Sequence, residues 1–360
     1  MTLSPPKIRV LIVEDSPVAI ALLKRELAKA PDIEVVGTAR HGREALELLS
    51  ITNPDVVCTD YHMPVMNGLE LTREIMAAHP LPILVLSVSV EEGSANVFNL
   101  LNAGAIDFVS KPTLESESAY AALTSQLANK IRILSGVRVF RKVTRPEPAT
   151  APSARHLLLP NPKSPVRLVV IGASTGGPQA LQTILKQLPA GFRLPMVCVQ
   201  HISEGFLEGL VQWLDDASPL EVRIARGGDT PVPGTVSFPP EGSHLVFDDR
   251  GRFLISRAQP VGGHRPAVTV TMNSAAEHYG ASVAGVLLTG MGSDGADGMA
   301  DIMKAGGLTI AQDEESSMIF GMPKQAIERG AVRYVLPLHD IAPALVRLQN
   351  GALTRNGVAG

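Results

Sequence analysis

A serine set between glycines is the first candidate for chemistry. Gly172-Ala173-Ser174-Thr175-Gly176 follows the apolar run Leu168–Ile171 and precedes a helical pattern. The spacing fits G-x-S-x-G, in which the flanking glycines permit a sharp strand-to-helix turn that exposes the hydroxyl. The N-terminus of the next helix offers N–H groups and the positive end of a dipole, suited to an oxyanion. A phosphate-binding turn is a competing use of the segment, and a plain tight turn is the bland one. The glycines do not fit G-x-G-x-x-G, however, and no G-K-[ST] closes a phosphate loop. A catalytic serine needs a base, and the base needs an orienting acid. Of the nine histidines, His201 directly follows the expected strand Pro195–Gln200. Asp294 comes just after the strand Ala284–Leu288, in a Gly-rich loop that also holds the runner-up, Asp297. A serine, an imidazole and a carboxylate delivered by three strand ends could carry out acyl transfer.

A second constellation lies near the N-terminus. Glu14 and Asp15 follow the apolar run Ile8–Val13, Asp60 follows Val56–Thr59, Ser87 ends Ile83–Ser87, and Lys111 follows Asp107–Val109. Three carboxylates converging at one sheet edge repel each other unless a cation neutralises them. Hard oxygen ligands suit Mg²⁺. An aspartyl carboxylate can act as a nucleophile toward phosphorus, with Mg²⁺ and Lys111 offsetting the charge that develops.

The elements that must position these residues read as two α/β units. Residues 8–134 alternate five short apolar strands with helices at Pro17–Ala30, Gly42–Leu49, Leu69–Ala78, Ser94–Ala103 and Ser118–Leu134. Such alternation implies a parallel sheet covered on both faces, with function gathered at the carboxyl ends of its strands. Gly136–Pro165 then holds six prolines, and six Lys or Arg against the single acid Glu147, so it reads as a basic, partly extended linker. Alternation resumes at Leu168. The stretch Glu221–Ser256 differs, because its four short runs between Gly and Pro read as antiparallel strands. Strands and helices alternate again from Val268 to a last helix, Ile341–Gln349. The domains expected are 1–135, a linker over 136–165, and 166–352. The fold class is α/β: two doubly wound parallel sheets, the first flavodoxin-like, the second with a small antiparallel β insertion.

Composition narrows the function classes. Lys plus Arg is 32 and Asp plus Glu is 35, a formal net charge of -3. That balance argues against a chain built to coat nucleic acid or an anionic membrane. Without the linker the count is 26 basic against 34 acidic residues, so both folded parts are acidic. Cys58 and Cys198 sit in apolar runs and read as buried small hydrophobes, too few for a disulfide framework or a four-cysteine zinc site. No signal-peptide or membrane-spanning pattern is present, and the expected location is the cytoplasm.

The front constellation resembles a two-component receiver domain over about residues 8–130. The resemblance implies that Asp60 is the phosphoacceptor. It also implies that Glu14, Asp15, Asp60 and the backbone carbonyl of His62 hold Mg²⁺, and that Ser87 and Lys111 contact the phosphoryl oxygens. Phe108 takes the aromatic switch position. Asn67-Gly68 and Lys111-Pro112 match the family's turn and Lys-Pro pair, while Tyr61 is a less usual neighbour of the acceptor and bears on the dephosphorylation rate.

GASTGGP, VQHI and LLTGMGSDGADGM, followed by FGMPKQAIERGA, resemble the catalytic domain of the chemotaxis receptor methylesterases, and the whole architecture matches that family over about residues 8–350. This implies Ser174 as nucleophile, His201 as base and Asp294 as its orienting partner, with Thr175 and Met291 lining the site. The order Ser…His…Asp is not that of the α/β-hydrolase fold, so similar chemistry is expected on another scaffold. The implied reaction is hydrolysis of γ-glutamyl methyl esters on chemoreceptors and deamidation of certain receptor glutamines, with no cofactor for the hydrolysis. In the family the unphosphorylated receiver limits access to the catalytic site, and phosphorylation relieves this. The expected partners are methylated chemoreceptors and a sensor histidine kinase as phosphodonor, with no nucleic acid, no membrane insertion and a monomeric chain. The alternative is a response regulator whose second domain only binds a protein partner.

Overall fold

A computed structural model describes residues 6–88, 91–111, 117–137, 139 and 164–356. Contacts divide the chain into two compact units, residues 1–146 and 147–360. Most of the expected linker, and Pro112, lie outside the described residues.

The first unit runs β1 (Ile8–Val13), α1 (Pro17–Leu27), β2 (Ile33–Ala39), α2 (Gly42–Thr52), β3 (Val56–Asp60), α3 (Gly68–Ala78), β4 (Ile83–Val88), α4 (Glu91–Ala103), β5 (Asp107–Lys111) and α5 (Glu117–Leu134). Its sheet has the order β2-β1-β3-β4-β5, with every pair parallel. Val10, Leu11, Ile12 and Val13 are all fully buried, as a central strand covered on both faces requires. Local signals place the helix starts. Ser16 caps α1 by accepting from the Ala19 N–H, and Asn67 and Glu70 form a reciprocal capping box on α3. The strand order reverses between β1 and β3, where open sheets of this kind hold their ligands. Glu14, Asp15 and Asp60 stand at that point.

The second unit contains β6 (Leu168–Ala173), α6 (Gly177–Gln187), β7 (Met196–Gln200), α7 (Leu207–Ala217), β8 (Glu221–Ile224), β9 (Thr235–Phe238), β10 (His244–Phe247) and β11 (Phe253–Ser256). It continues with α8 (Val268–Tyr279), β12 (Val283–Leu287), α9 (Ala296–Lys304), β13 (Leu308–Gln312), α10 (Met322–Glu328), β14 (Tyr334–Leu336) and α11 (Leu338–Asn356). The main sheet has seven strands in the order β14-β13-β12-β6-β7-β9-β8, and a separate two-stranded sheet pairs β10 with β11. The core on one face joins Leu168, Val170, Val197 and Val199 of the sheet to Met272 of α8 and Met299 and Ile302 of α9. Leu245, Phe247 and Phe253 of the small sheet belong to the same core.

One expectation needs correction. Of the four short strands expected to be antiparallel, only β10 and β11 are so paired. β8 and β9 pair in parallel and extend the main sheet beyond β7. The connections explain the difference. β10 and β11 are joined by the tight turn 248–252, where the Asp248 carboxylate accepts from the Arg250 and Arg252 N–H groups. The segment 225–234 between β8 and β9 is long enough to return the chain to the same end of the sheet, which a parallel pair demands.

Candidate active site

β6 and β7 are parallel neighbours with Ala173 opposite Gln200, and the His201 N–H donates to the Ala173 carbonyl at 3.0 Å. Ser174 and His201 are therefore the first residues beyond two adjacent strand ends. On the other side of β6, β12 leads to Thr289, whose carbonyl accepts from the Ser174 N–H at 3.0 Å. The strand order reverses between β6 and β12, so all three segments meet at the switch point of this sheet. Gly176 has φ of 76°, the left-handed backbone that lets the chain turn sharply from the serine into α6.

His201 Nε2 lies 2.8 Å from Asp294 Oδ2, and the two side chains are 9% and 6% exposed. Oδ2 also accepts from the Val268 N–H at 2.7 Å, while Oδ1 accepts from the Thr269 and Gly295 N–H groups, each at 2.9 Å. Burial pushes the Asp294 carboxyl up. The bonds from His201 and the Thr269 amide outweigh it and hold the group well below the ordinary carboxylate range. Asp294 is thus an ionised acceptor for His201 Nε2–H, and it leaves Nδ1, which is buried and has no hydrogen-bond partner, as the nitrogen able to take a proton. The runner-up, Asp297, points elsewhere: it is exposed and ion-paired with Arg329.

Thr175 is buried and its carbonyl accepts from the Thr289 hydroxyl at 3.0 Å. Met291 follows in the next loop, half exposed. That loop is pinned by two bonds: the Thr289 N–H donates to Gln312 Oε1 at 2.8 Å, and the Gly290 N–H to the Ile319 carbonyl at 3.0 Å.

Three contributors escaped sequence reasoning. His264 stacks on His201, with ring centroids 3.8 Å apart and planes within 2° of parallel. It closes the two-residue turn Val261-Gly-Gly-His264, and that Gly-Gly turn was the signal that could have drawn attention to it. Burial, and next the neighbouring His201, push the His264 imidazole below its usual value. Thr289 and Gln200 carried no signal in the sequence.

In the first unit, Lys111 Nζ is 2.9 Å from Glu14 Oε2 and 2.8 Å from Asp60 Oδ2, and all three residues are buried. Asp60 Oδ1 accepts from the Tyr61 N–H at 2.7 Å. Burial raises the Glu14 carboxyl, partly offset by Lys111, while the Lys111 ammonium is raised because Asp60 and Glu14 outweigh its own desolvation. Asp15 is exposed, yet oxygens of Glu14, Asp15 and Asp60 all lie within 4.8 Å of one another. Three hard oxygen donors this close, one of them reluctant to ionise alone, fit a divalent cation such as Mg²⁺. Ser87 is buried at the end of the neighbouring β4, and His62 is exposed just after Asp60. Phe108 is buried, edge-on to Phe98 at 6.2 Å. Cys58 and Cys198 are both buried, and burial pushes the Cys58 thiol up to about 12. Among the described residues no helix is long and apolar enough to cross a membrane.

Comparison with known proteins agrees with both halves. Residues 10–122 match the family described as response regulator receiver domain, and residues 169–345 match that described as CheB methylesterase. A protein-glutamate methylesterase/protein-glutamine glutaminase of Nitrosospira multiformis is 40% identical over 95% of this chain and 97% of its own. One from Methanospirillum hungatei is 41% identical over 93% of this chain and 96% of its own. Among solved structures, the Thermotoga maritima CheB methylesterase catalytic domain is 41% identical, with a TM-score of 0.50 over 51% of this chain and 98% of that one.

Proposed function

The chain belongs to the protein-glutamate methylesterase/protein-glutamine glutaminase family, and from that premise we propose that Ser174, His201 and Asp294 form its catalytic triad. The enzyme is a phosphorylation-controlled hydrolase of chemotaxis adaptation. It removes methyl groups from chemoreceptor glutamate methyl esters and deamidates receptor glutamines. The observation that carries the triad is the partly buried His201–Asp294 hydrogen bond at 2.8 Å, set beside the strand-end turn of Ser174. A merely protein-binding output domain has no use for that pair.

The geometry supports the following order of events. Ser174 Oγ attacks the ester or amide carbonyl while His201 Nδ1 accepts its proton. Asp294 holds Nε2–H and supports the imidazolium that forms. The Ser174 amide is committed to the Thr289 carbonyl, so we assign the oxyanion donors to backbone N–H groups around Thr175 and Met291. His201 then returns its proton to methanol or ammonia as it leaves. Water, activated by the same imidazole, cleaves the acyl-enzyme and frees a glutamate carboxylate.

In the receiver, assigned to 1–135 and tethered by 136–165 to a catalytic domain over 166–352, Asp60 is the proposed phosphoacceptor. Glu14, Asp15, Asp60 and the His62 carbonyl would hold Mg²⁺, which when bound offsets negative charge on the incoming phosphoryl group. Ser87 and Lys111 contact the phosphoryl oxygens, and Phe108 responds to them. A sensor histidine kinase is the proposed phosphodonor, and the enzyme works as a cytoplasmic monomer. The test is methanol release from methyl-labelled receptor membranes, with and without a small phosphodonor. Ser174→Ala abolishes release while Asp60 still accepts the phosphoryl group, and Asp60→Asn releases methanol at an unstimulated rate. Near-normal release by Ser174→Ala would sink the triad.

A further inference from the structure

We propose that Gln200 is a positioning residue that sets the nucleophile and the base against each other; this rests on the triad reading above. Gln200 ends β7 opposite Ala173, at the last register pair of the two strands. Beyond that pair the chains diverge, Ser174 into α6 and His201 into a loop, and the His201 N–H to the Ala173 carbonyl is the last backbone bond between them. The Gln200 side chain takes over. Its Nε2 donates one N–H to the Ser174 carbonyl and the other to the His201 carbonyl, both at 2.8 Å. One nitrogen with two protons holds both carbonyl oxygens, which therefore lie no farther apart than twice that length. The residue is 3% exposed, so water does not compete for these bonds.

The turn is shaped around this amide. Gly177 supplies a second donor to the Ser174 carbonyl at 2.8 Å, and a Cβ at Gly177 would stand 2.0 Å from Gln200 Oε1. The last glycine of GASTGG thus clears the space the amide fills. Oε1 itself is buried without a hydrogen-bond partner. Burying an unpaired carbonyl is costly, and a methionine or leucine would fill the space without that cost. The two N–H donors are what a glutamine brings here.

Both Gln200 donors go to backbone carbonyls rather than to the Ser174 hydroxyl or the His201 ring, so the proposed effect comes through the Ser174–His201 geometry. A misplacement of about 1 Å costs roughly 10²-fold in rate. Gln200→Met keeps length and apolar volume but removes both donors. Its kcat for methanol release should fall about 10²-fold, with KM for receptor membranes within about two-fold of the parent. Labelling of Ser174 by a fluorophosphonate probe should slow in parallel. Gln200→Asn, with the donors kept but withdrawn by one methylene, should fall by a similar factor. A folded Gln200→Met enzyme with kcat within about two-fold of the parent overturns the proposal, as does a loss confined to KM. If neither variant shows a cooperative melting transition, Gln200 is a folding residue and the proposal is likewise overturned. Ser174→Ala runs alongside: activity surviving in it refutes the triad, whereas its loss together with an unaffected Gln200→Met refutes the Gln200 role alone.

Discussion

Replacing Asp294 by asparagine separates its electrostatic role from its shape. Four hydrogen bonds converge on this carboxylate: His201 Nε2 and the Val268 N–H on Oδ2, the Thr269 and Gly295 N–H groups on Oδ1. Val268 and Thr269 open α8, whose N-cap position is Ala267 and makes no side-chain cap, so Asp294 caps that helix from a distant loop. Asparagine offers one oxygen where four donors need two. If its NH₂ faces His201, the ring must present a lone pair at Nε2 and carry its proton on Nδ1, the nitrogen that should accept from Ser174. The wrong tautomer costs about 10⁴-fold in kcat in hydrolases of this type. If the NH₂ faces the other way, the Thr269 N–H loses its acceptor, on the order of 1–3 kcal/mol, while the Gly295 N–H keeps the Thr269 hydroxyl at 2.8 Å. A depressed folded pKa contributes stability that is present above the ordinary carboxylate value and is lost as pH falls through the folded one. The stability gap between parent and Asp294→Asn should therefore be largest near neutral pH and shrink below about pH 4. Methanol release at neutral pH gives the rate, and urea unfolding at neutral and acid pH gives the gap. A variant within tenfold of the parent in kcat, or a gap independent of pH, would refute this account of Asp294.

Two further outcomes follow from contacts at the two sites. His264→Ala removes a stacked ring from His201; an aromatic contact of this kind is worth about 0.5–1.5 kcal/mol, so kcat should drop roughly two- to ten-fold with the melting temperature nearly unchanged, and an unaltered kcat would make the stack incidental. Lys111→Met leaves Glu14 and Asp60 facing each other without their shared cation; phosphorylation by a small phosphodonor should be lost, basal methanol release should persist, and calorimetric Mg²⁺ titration should show binding retained or tightened.

Much of the architecture was legible before any coordinates. Alternating apolar runs and helical patterns announced two parallel sheets because a strand segment buried on both faces must be apolar, as β6 is throughout and β1 is from Val10 to Val13. The capping residues and the glycines around Ser174 are local signals and were readable for that reason. The direction of β8 and β9 was not, because pairing direction depends on where the chain returns across space. A short run such as Val222–Ile224 looks the same in either arrangement.

The same division holds at the catalytic centre. Residue type and position at strand ends nominated Ser174, His201 and Asp294, and left Asp297 as a rival three residues away. The resemblance favoured Asp294, and the folded loop gives the physical difference: Asp294 is largely enclosed under four donors, and Asp297 is exposed beside Arg329. Which ring nitrogen of His201 faces the acid, the stacking of His264, the capping of α8 by Asp294 and the Gln200 clamp are likewise tertiary facts. Sequence specifies what chemistry each side chain can do and which element carries it. Hydrogen bonds between residues 26, 93 or 114 positions apart exist only once non-local packing has brought the strand ends together, because their strength depends on distance, angle and exclusion of water, none of which is written along the chain.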